Sequence, residues 1–225
     1  MSKIMGIDAG LTGPGLAVVE VTATRPSGLV LLAECFRPKI EDPTSLSTTL
    51  FDAARCAQIA SYIAQMIATY KPDVIVCEFP TGGAKSSAAI KGMAMATAMT
   101  SAIIALSAAQ GCQLIAITPM QNKKGSAGPA KKSKSEQDSE QSKWNVLAAV
   151  NLAWPGLPWP RKRRKPEELD DAVCWTMADA LSCVLTYLRM PEAERTRRLA
   201  ENTALLSRTP AEMLPNSGRM AQATA

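Results

Sequence analysis

Residues 3–15 read KIMGIDAGLTGPG, and this stretch decides the fold that the sequence predicts. A short apolar strand ends at Asp8, a glycine-rich turn follows, and a second apolar run begins at Leu16, a pattern typical of a β-hairpin. An ionised carboxylate at the end of a buried strand costs free energy unless favourable partners lie against it. Turn amides could donate hydrogen bonds to Asp8, or a divalent metal ion shared with other carboxylates could bind it.

The composition narrows the chemistry that the protein can perform. The chain has 225 residues, of which 47% are apolar, a net charge of +5 and no histidine. The absence of histidine excludes serine–histidine and cysteine–histidine hydrolases and the usual histidine-bearing zinc sites. Acid–base or metal chemistry must therefore use carboxylates and lysines.

The cysteines and one long uncharged segment predict the cellular setting. The six cysteines are separated from one another and mostly lie in apolar runs, which indicates reduced thiols in the cytoplasm. Residues 92–109 are uncharged, but they are mainly Ala, Ser, Thr and Met, a composition typical of a buried helix rather than a membrane span. We therefore expect a cytoplasmic protein that makes no use of a membrane.

The order of apolar segments predicts an α/β fold. Three strands at the start are followed by helix, strand, helix and strand, which implies an antiparallel unit continued by parallel crossovers. Residues 73–79, DVIVCEF, are typical of a strand covered on both faces, and Glu78 lies at its end. We expect a mixed five-stranded sheet, three antiparallel strands and then parallel crossovers, flanked by helices. The predicted elements are strands ending at residue 8 and over 16–21, 29–36, 73–79 and 113–117, and helices over 50–70 and 85–110.

Basic and apolar segments alternate in the second half of the chain. A mobile loop rich in Lys, Ser and Gly is predicted over residues 123–142, followed by a helix. Pro166 with the two glutamates after it is typical of a helix start, so an apolar helix is predicted from there to about Arg189. We expect one domain over residues 1–190 and a polar, partly disordered extension over 191–225.

Acidic residues recur where apolar surroundings make them costly. Asp8 and Glu78 lie at strand ends, and the last apolar helix carries Asp170, Asp171 and Asp179. If this helix packs across the two strands, the carboxylates converge, and their mutual repulsion requires cations. Two divalent ions about 4 Å apart, held by such a cluster, serve in-line hydrolysis of phosphodiesters. Without histidine, Mg²⁺ or Mn²⁺ is the expected ion, and Asp170 is expected to be a solvated acid at the helix start.

Several segments, in the same order along the chain, resemble the RuvC-like endonucleases of the ribonuclease H superfold, particularly those of phages. The opening motif of that family is similar to GIDAGLTGPGLAVV here, where Ala9 replaces the usual proline, and its fourth-strand motif is similar to VCEFP. The segment before its mobile loop resembles ITPMQNKK, and Lys143 with two later apolar residues matches the spacing on its next helix. Its closing helix resembles MADALSCVLTYLR, although Thr176 replaces an acid. The match spans residues 3–189.

The resemblance implies a dimeric, metal-dependent nuclease that acts on branched double-stranded DNA, such as Holliday junctions, in a bacterial or phage-infected cell. The family's metal-binding acids correspond to Asp8, Glu78 and an acid of the last helix. Asp179 fits that place by its flanking residues, whereas Asp171 fits by its position near the helix start. Both are kept as candidate catalytic residues and ligands, and two ions are expected.

Two groups of cations are predicted to contact DNA. Lys123 and Lys143 resemble lysines that the family keeps near the scissile phosphate, so they are the expected cations that stabilise the transition state. The candidates for phosphate contact are Lys123, Lys124, Lys131 and Lys132 in the predicted loop, and Arg161, Lys162, Arg163, Arg164 and Lys165 before the last helix. A solvated charge run without a ligand is the alternative in both places.

Two other functions remain open. A less selective nuclease for forks and flaps would have the same fold and the same acids. A non-catalytic DNA-binding relative is favoured by the unclear fourth acid. The nuclease hypothesis requires Asp8 and Glu78 to lie on one face of the sheet, close enough for bound ions to bridge them.

Overall fold

The computed structural model describes residues 1–10, 13–40, 47–79, 87–128 and 136–206. Its strands are β1 (Ser2–Asp8), β2 (Gly15–Thr22), β3 (Arg25–Cys35), β4 (Val74–Glu78), β5 (Gln113–Ile117), β6 (Arg161–Lys162) and β7 (Lys165–Leu169). Its helices are α1 (Thr48–Tyr70), α2 (Ser87–Ala109), α3 (Pro119–Ala127), α4 (Glu136–Ala153), α5 (Asp171–Arg189) and α6 (Glu192–Leu206). In these ranges, none of the helices combines the length and apolar character needed to span a bilayer.

β1 is the central strand of a five-stranded sheet. The strand order is β3-β2-β1-β4-β5. β1 pairs antiparallel with β2, and β2 pairs antiparallel with β3, whereas the pairs β1–β4 and β4–β5 are parallel. β4 and β5 are joined through α2, as parallel neighbours require. The predicted fold class, with three antiparallel strands and then parallel crossovers, is confirmed.

The side chains of β1 and β4 alternate between two buried cores. On one face, Ile4 and Val76 pack with residues of α4 and α5. On the other face, Ile7 packs with residues of α1 and α2. Successive strand residues point to opposite faces, so Asp8, four residues after Ile4, points toward α5. Glu78, two residues after Val76, does the same.

α5 approaches the sheet so closely that two positions beneath it must be glycine. A Cβ atom on Gly6 would lie 2.1 Å from the carbonyl oxygen of Ala180. A Cβ atom on Gly15 would lie 2.2 Å from the carbonyl oxygen of Thr176. Either contact is far inside van der Waals distance, so any side chain would displace the helix. These two glycines of the opening stretch therefore allow Asp179 to come down onto the end of the sheet.

The predicted loop over 123–142 is largely helical at both of its ends. Thr118 and Gln121 form a capping box that starts α3, which continues into the predicted loop. α4 begins at Glu136, earlier than predicted. The loop boundaries were wrong because polar helices without an apolar stripe give no periodic signal. Residues 129–135 lie outside the described ranges.

The predicted helix start at Pro166 is also wrong. Residues 161–169 form the β6–β7 hairpin, in which Pro166 lies on β7. α5 begins at Asp171, and the side chain of Asp170 caps it by accepting a hydrogen bond from the Val173 amide. Proline lacks an amide hydrogen, which suits the first turn of a helix and the free edge of a two-stranded ribbon equally. The local signal therefore did not discriminate between the two.

The segment after residue 190 begins with α6, which packs on the edge strand β5. The Arg198 guanidinium donates to the Ala116 carbonyl at 3.2 Å and forms an ion pair with Glu194 at 2.8 Å. The first part of the predicted polar extension is therefore a helix in contact with the sheet. Residues 207–225 lie outside the described part of the chain.

Candidate active site

Asp8 and Glu78 leave the sheet side by side. They are the last residues of β1 and β4, and the parallel register pairs them directly. Neighbouring strands lie about 4.8 Å apart, and both side chains point toward α5. The condition that the nuclease hypothesis set for these two acids is therefore met. Two ionised carboxylates on neighbouring strands repel each other, and a cation near both would offset that repulsion.

Asp179 of α5 brings a third carboxylate to the same place. Burial, and then repulsion from Glu78, raises the pKa of Asp179 to about 7. Burial, and then the charges of Asp179 and Glu78, raises the pKa of Asp8 well above its ordinary value. Asp8 keeps some accessible surface, but the protein packed around it leaves little water to solvate a charge. Asp8, Glu78 and Asp179 are together called the acid cluster below.

Two lysines supply positive charge beside the acid cluster. Burial raises the pKa of Glu78, and the Asn122 amide and then Lys123 on α3 partly oppose that rise. The charges of Lys123 and Lys143 likewise lower the pKa of Asp179 and so partly oppose its rise. The Lys143 amino group lies 4.4 Å from the centre of the Trp175 ring, a cation–π contact that orients it. When all three acids are ionised, two lysines leave the site net negative.

Two solved structures of RuvC from Thermus thermophilus are similar to this chain. RuvC in complex with a Holliday junction substrate gives a TM-score of 0.59 at 20% sequence identity, over 88% of this chain and 98% of that one. This chain has a RuvC-like fold. A second T. thermophilus RuvC structure gives a TM-score of 0.53 at 20% identity, over 87% of this chain and 97% of that one. No protein-family model matches the sequence, and no curated protein is significantly similar to it.

The RuvC-like fold confirms the resemblance seen in the sequence at the level of architecture. The similarity extends over most of the chain, whose sheet has three antiparallel strands followed by parallel crossovers. The ribonuclease H-like sheet predicted from residues 3–189 is therefore the observed one.

Asn122 on α3 is a residue of the site that the sequence analysis missed. It is 1% exposed, and its Nδ2 donates to Glu78 Oε2 at 2.7 Å and to the Asp179 carbonyl at 3.3 Å. The Ser182 hydroxyl donates to Asn122 Oδ1 at 2.8 Å. The Thr186 hydroxyl donates to the Asn122 carbonyl at 3.0 Å. Asn122 therefore ties one carboxylate of the acid cluster to the helix that carries another.

The sequence held only a weak signal for Asn122. Asn122 and Ser126 lie four residues apart and are the buried side chains of α3. Buried polar groups need hydrogen-bond partners, and the Ser126 hydroxyl donates to the Asn122 carbonyl at 2.7 Å. In a helix that is polar on every side, however, the spacing does not reveal which face is buried. Asn122 could be recognised only from its tertiary contacts.

Asp171, the alternative ligand, lies apart from the acid cluster. It is the first residue of α5, and Asp179 follows eight residues later, which is about 12 Å along the helix axis. Its charge acts on Lys162 of the hairpin. Thr176, which stands where the resemblance implies an acid, donates its hydroxyl to a carbonyl of the preceding helical turn. The RuvC-like fold thus brings Asp179, rather than Asp171, beside the two strand-end acids.

The predicted DNA-binding cations fall into two groups in the RuvC-like fold. Lys123 and Lys124 lie on α3, with Lys123 beside the acid cluster and Lys124 exposed. Residues 161–165 lie on the β6–β7 hairpin, immediately before α5. Lys131 and Lys132 lie outside the described residues.

The acid cluster fits a hard divalent cation by its chemistry. Its donors are carboxylate oxygens, the preferred ligands of Mg²⁺ and Mn²⁺, and each is held where a negative charge is costly. Across the described ranges, no three His, Cys, Asp or Glu side chains form a ready-made metal-binding group. The acids of the cluster influence one another electrostatically. A bound cation would offset the repulsion that the fold imposes on them.

We expect the metal-free protein to lose stability as the pH rises through about 7. The pKa of Asp179 is about 7 in the folded protein and near 3.8 when unfolded, so the folded state holds this proton more tightly. The stabilisation is complete below about pH 4 and is lost by about pH 8, a change on the order of 4 kcal/mol. Urea denaturation in EDTA at a series of pH values measures it. The Asp179→Asn protein should show a flatter profile, and an unchanged profile would contradict this assignment.

Proposed function

We propose that the protein is a metal-dependent endonuclease that hydrolyses phosphodiester bonds in branched DNA, with Holliday junctions as its main substrate. The observation that carries the proposal is the acid cluster, in which β1, β4 and α5 place three carboxylates where their ionised forms need a cation. The RuvC-like fold supports the same function, because one similar structure holds a Holliday junction substrate.

The acid cluster would hold Mg²⁺ or Mn²⁺, and two ions are expected. Such ions supply an activated water and stabilise the leaving oxygen. Lys123 and Lys143 flank the cluster and place positive charge where the phosphate becomes more negative in the transition state. Asn122 holds one oxygen of Glu78, so that the other oxygen is available as a ligand.

A two-fold symmetric homodimer belongs to this proposal. Resolution of a four-way junction requires cuts in two strands, and one chain supplies one acid cluster. Two copies related by a two-fold axis, the commonest symmetry of soluble oligomers, would present one cluster to each strand. Phosphates of the junction arms would contact Lys123 and Lys124 on α3 and exposed cations of the hairpin.

A DNA-binding protein without catalysis is the second candidate function. Two observations favour it. Thr176 stands where the resemblance implies an acid, and the described acids do not form a ready-made group of three metal ligands. Such a protein would bind junctions but cut none. A less selective nuclease of forks and flaps would use the same cluster and differ only in substrate range.

Cleavage of a panel of DNAs distinguishes these functions. The purified protein is mixed with a four-way junction, a fork, a flap and linear duplex, each with Mg²⁺, Mn²⁺ or EDTA. We expect the junction to be cut fastest with either metal and not at all in EDTA. The Asp8→Asn protein, purified in the same way, controls for a contaminating nuclease. Binding without cutting of any branched DNA would overturn the proposal, and equal rates on forks and flaps would support the broader nuclease.

A further inference from the structure

The five consecutive cations of residues 161–165 lie on the β6–β7 hairpin, immediately before α5. Lys162 and Lys165 face each other across the two strands. Arg163 and Arg164 form the turn that joins the strands. These two arginines are called the hairpin tip. The paired strands, with the cations Arg161, Lys162 and Lys165, are called the hairpin base.

Internal partners hold every cation of the hairpin base. Lys162 donates to one carboxylate oxygen of Glu168 at 2.8 Å, and Lys165 donates to the other at 2.7 Å. Like charges directly opposite each other destabilise a strand pair, so Glu168 offsets a repulsion that the pairing itself creates. The hydrogen bond to Glu168 raises the pKa of Lys162. The Arg161 guanidinium donates to the Glu167 carbonyl at 2.8 Å.

Counted together with the two aspartates that follow it, the hairpin base therefore carries no excess positive charge, whereas the tip does. The charges of Asp170 and Asp171 also act on Lys162. Three cations of the base thus lie among four acids, which are Glu167, Glu168, Asp170 and Asp171. Both tip arginines are exposed, and in the part of the chain that the structure describes neither makes a hydrogen bond or ion pair. The hairpin therefore separates the two positive charges of the tip from base cations that have acidic neighbours.

We propose that the hairpin tip binds the phosphate backbone of a duplex DNA arm away from the cut, and that the hairpin base binds no DNA. The inference rests on the proposed function, since it assumes branched DNA as the ligand. Arginine suits this role because its guanidinium binds phosphate oxygens through two parallel hydrogen bonds. Glu168 ties both strands of the base together, so the tip loses less conformational entropy when it binds.

α5 sets the distance between the hairpin and the acid cluster. Asp170 caps the helix beside the hairpin, and Asp179 lies nine residues later, about 14 Å along the helix axis. Phosphates along one strand are about 3.4 Å apart, so a tip that extends away from α5 would reach the backbone about four or more nucleotides from the cut. A contact at that distance is equally strong in the ground state and the transition state. It therefore raises affinity without raising the rate of the chemical step.

Two double variants with the same change in charge test the inference. One removes the tip, Arg163→Ala with Arg164→Ala, and the other removes the lysines of the base, Lys162→Ala with Lys165→Ala. Binding to a four-way junction is measured in EDTA at a series of KCl concentrations. Cleavage by saturating protein is measured with Mg²⁺ under single-turnover conditions. A third variant, Arg163→Lys with Arg164→Lys, keeps the charge of the tip.

The tip variant is expected to bind the junction on the order of tenfold to a hundredfold more weakly at about 0.1 M salt. Its slope of log affinity against log salt concentration should fall by about 2, because about one counterion is released for each phosphate contact. Its cleavage rate at saturation should equal that of wild type. The base variant should keep the wild-type slope, and the Arg→Lys variant should recover most of the slope. Cleavage at the wild-type rate at saturation shows that the tip variant is folded.

Three results would overturn the inference. They are a wild-type salt slope in the tip variant, an equal loss of slope in the base variant, and a reduced saturated cleavage rate in the tip variant. Each of them leaves the proposed function standing, because the wild-type protein still cuts the junction. Failure of the wild-type protein to bind branched DNA would overturn both the inference and the proposed function.

Discussion

The Asp8→Asn variant is expected to lose at least about a thousandfold in cleavage rate, while it still folds and binds four-way junctions. Asp8 lies between its neighbour Glu78 on β4 and Asp179 on α5, and both of their charges act on it. The asparagine amide is a poor ligand for a hard cation, and it lacks the negative charge through which Asp8 would attract the cation. The loss is measured by single-turnover cleavage of a junction with Mg²⁺ and with Mn²⁺.

The same variant should be more stable than wild type in the absence of metal. Burial and two neighbouring carboxylates raise the pKa of Asp8 in the folded protein, so its ionised form costs folding free energy at pH 8. Asparagine removes that cost. Thermal unfolding in EDTA should therefore shift upward, and added Mn²⁺ should stabilise the variant less than it stabilises wild type. This pair of results distinguishes a metal ligand from a residue that merely supports the fold.

Asp171→Asn is the matched control for Asp8→Asn. It makes the same chemical change at the first residue of α5, about 12 Å along the helix from Asp179. We expect its cleavage rate to stay within a few-fold of wild type, since a group outside the cluster contributes far less. If Asp171→Asn abolishes cleavage as fully as Asp8→Asn does, Asp171 is a fourth ligand. Full cleavage by Asp8→Asn would contradict the proposed catalytic role of the acid cluster.

Asn122→Leu is expected to weaken Mn²⁺ binding and cleavage by about tenfold to a hundredfold, the range found when a partner of a metal ligand is lost. Leucine has nearly the same size but cannot donate to Glu78 Oε2 or to the Asp179 carbonyl. The freed carboxylate oxygen stays buried without that hydrogen bond, which also destabilises the fold by about 2 kcal/mol. Calorimetric titration with Mn²⁺, junction cleavage and urea denaturation measure the three effects.

Asn145→Leu provides the control for that substitution. Asn145 lies on α4 and is exposed, where its side chain accepts a hydrogen bond from Gln141. The same change there should leave Mn²⁺ affinity and cleavage unaltered and change stability by less than about 0.5 kcal/mol. If Asn122→Leu lowers only the stability and keeps wild-type Mn²⁺ affinity, Asn122 supports the packing of α3 and does not position Glu78.

The two strand-end acids could be predicted from the sequence because their placement follows from short-range rules. Asp8 and Glu78 each end an apolar run, and the alternation of side chains along a strand decides which face each one shares. The helix–strand alternation made the two strands parallel, so both ends lie at the same edge of the sheet. The structure then showed that β1 and β4 are direct neighbours.

The third acid, Asp179, and the amide of Asn122 could not be predicted in the same way. Asp171 and Asp179 both lie on α5. Asp179 matched the family pattern by its flanking residues, and Asp171 matched it by its position near the helix start. The close approach of α5 to Gly6 and Gly15 decides which of them meets the strands. The role of Asn122 depends on contacts with Glu78 and α5, each more than forty residues away in the sequence. No local pattern therefore indicates that role.

The sequence by itself determined the sheet, the face on which the acids lie and the carboxylate character of the site, because apolar periodicity and residue type are local properties. Only the tertiary structure decided that Asp179 completes the acid cluster and that Asn122 holds Glu78. It also decided that the cations of residues 161–165 divide into a base with internal partners and a tip without partners among the described residues. Each of these depends on which segments pack or pair with one another. That choice is made by the summed burial and hydrogen bonding of the whole chain and cannot be read from any one segment.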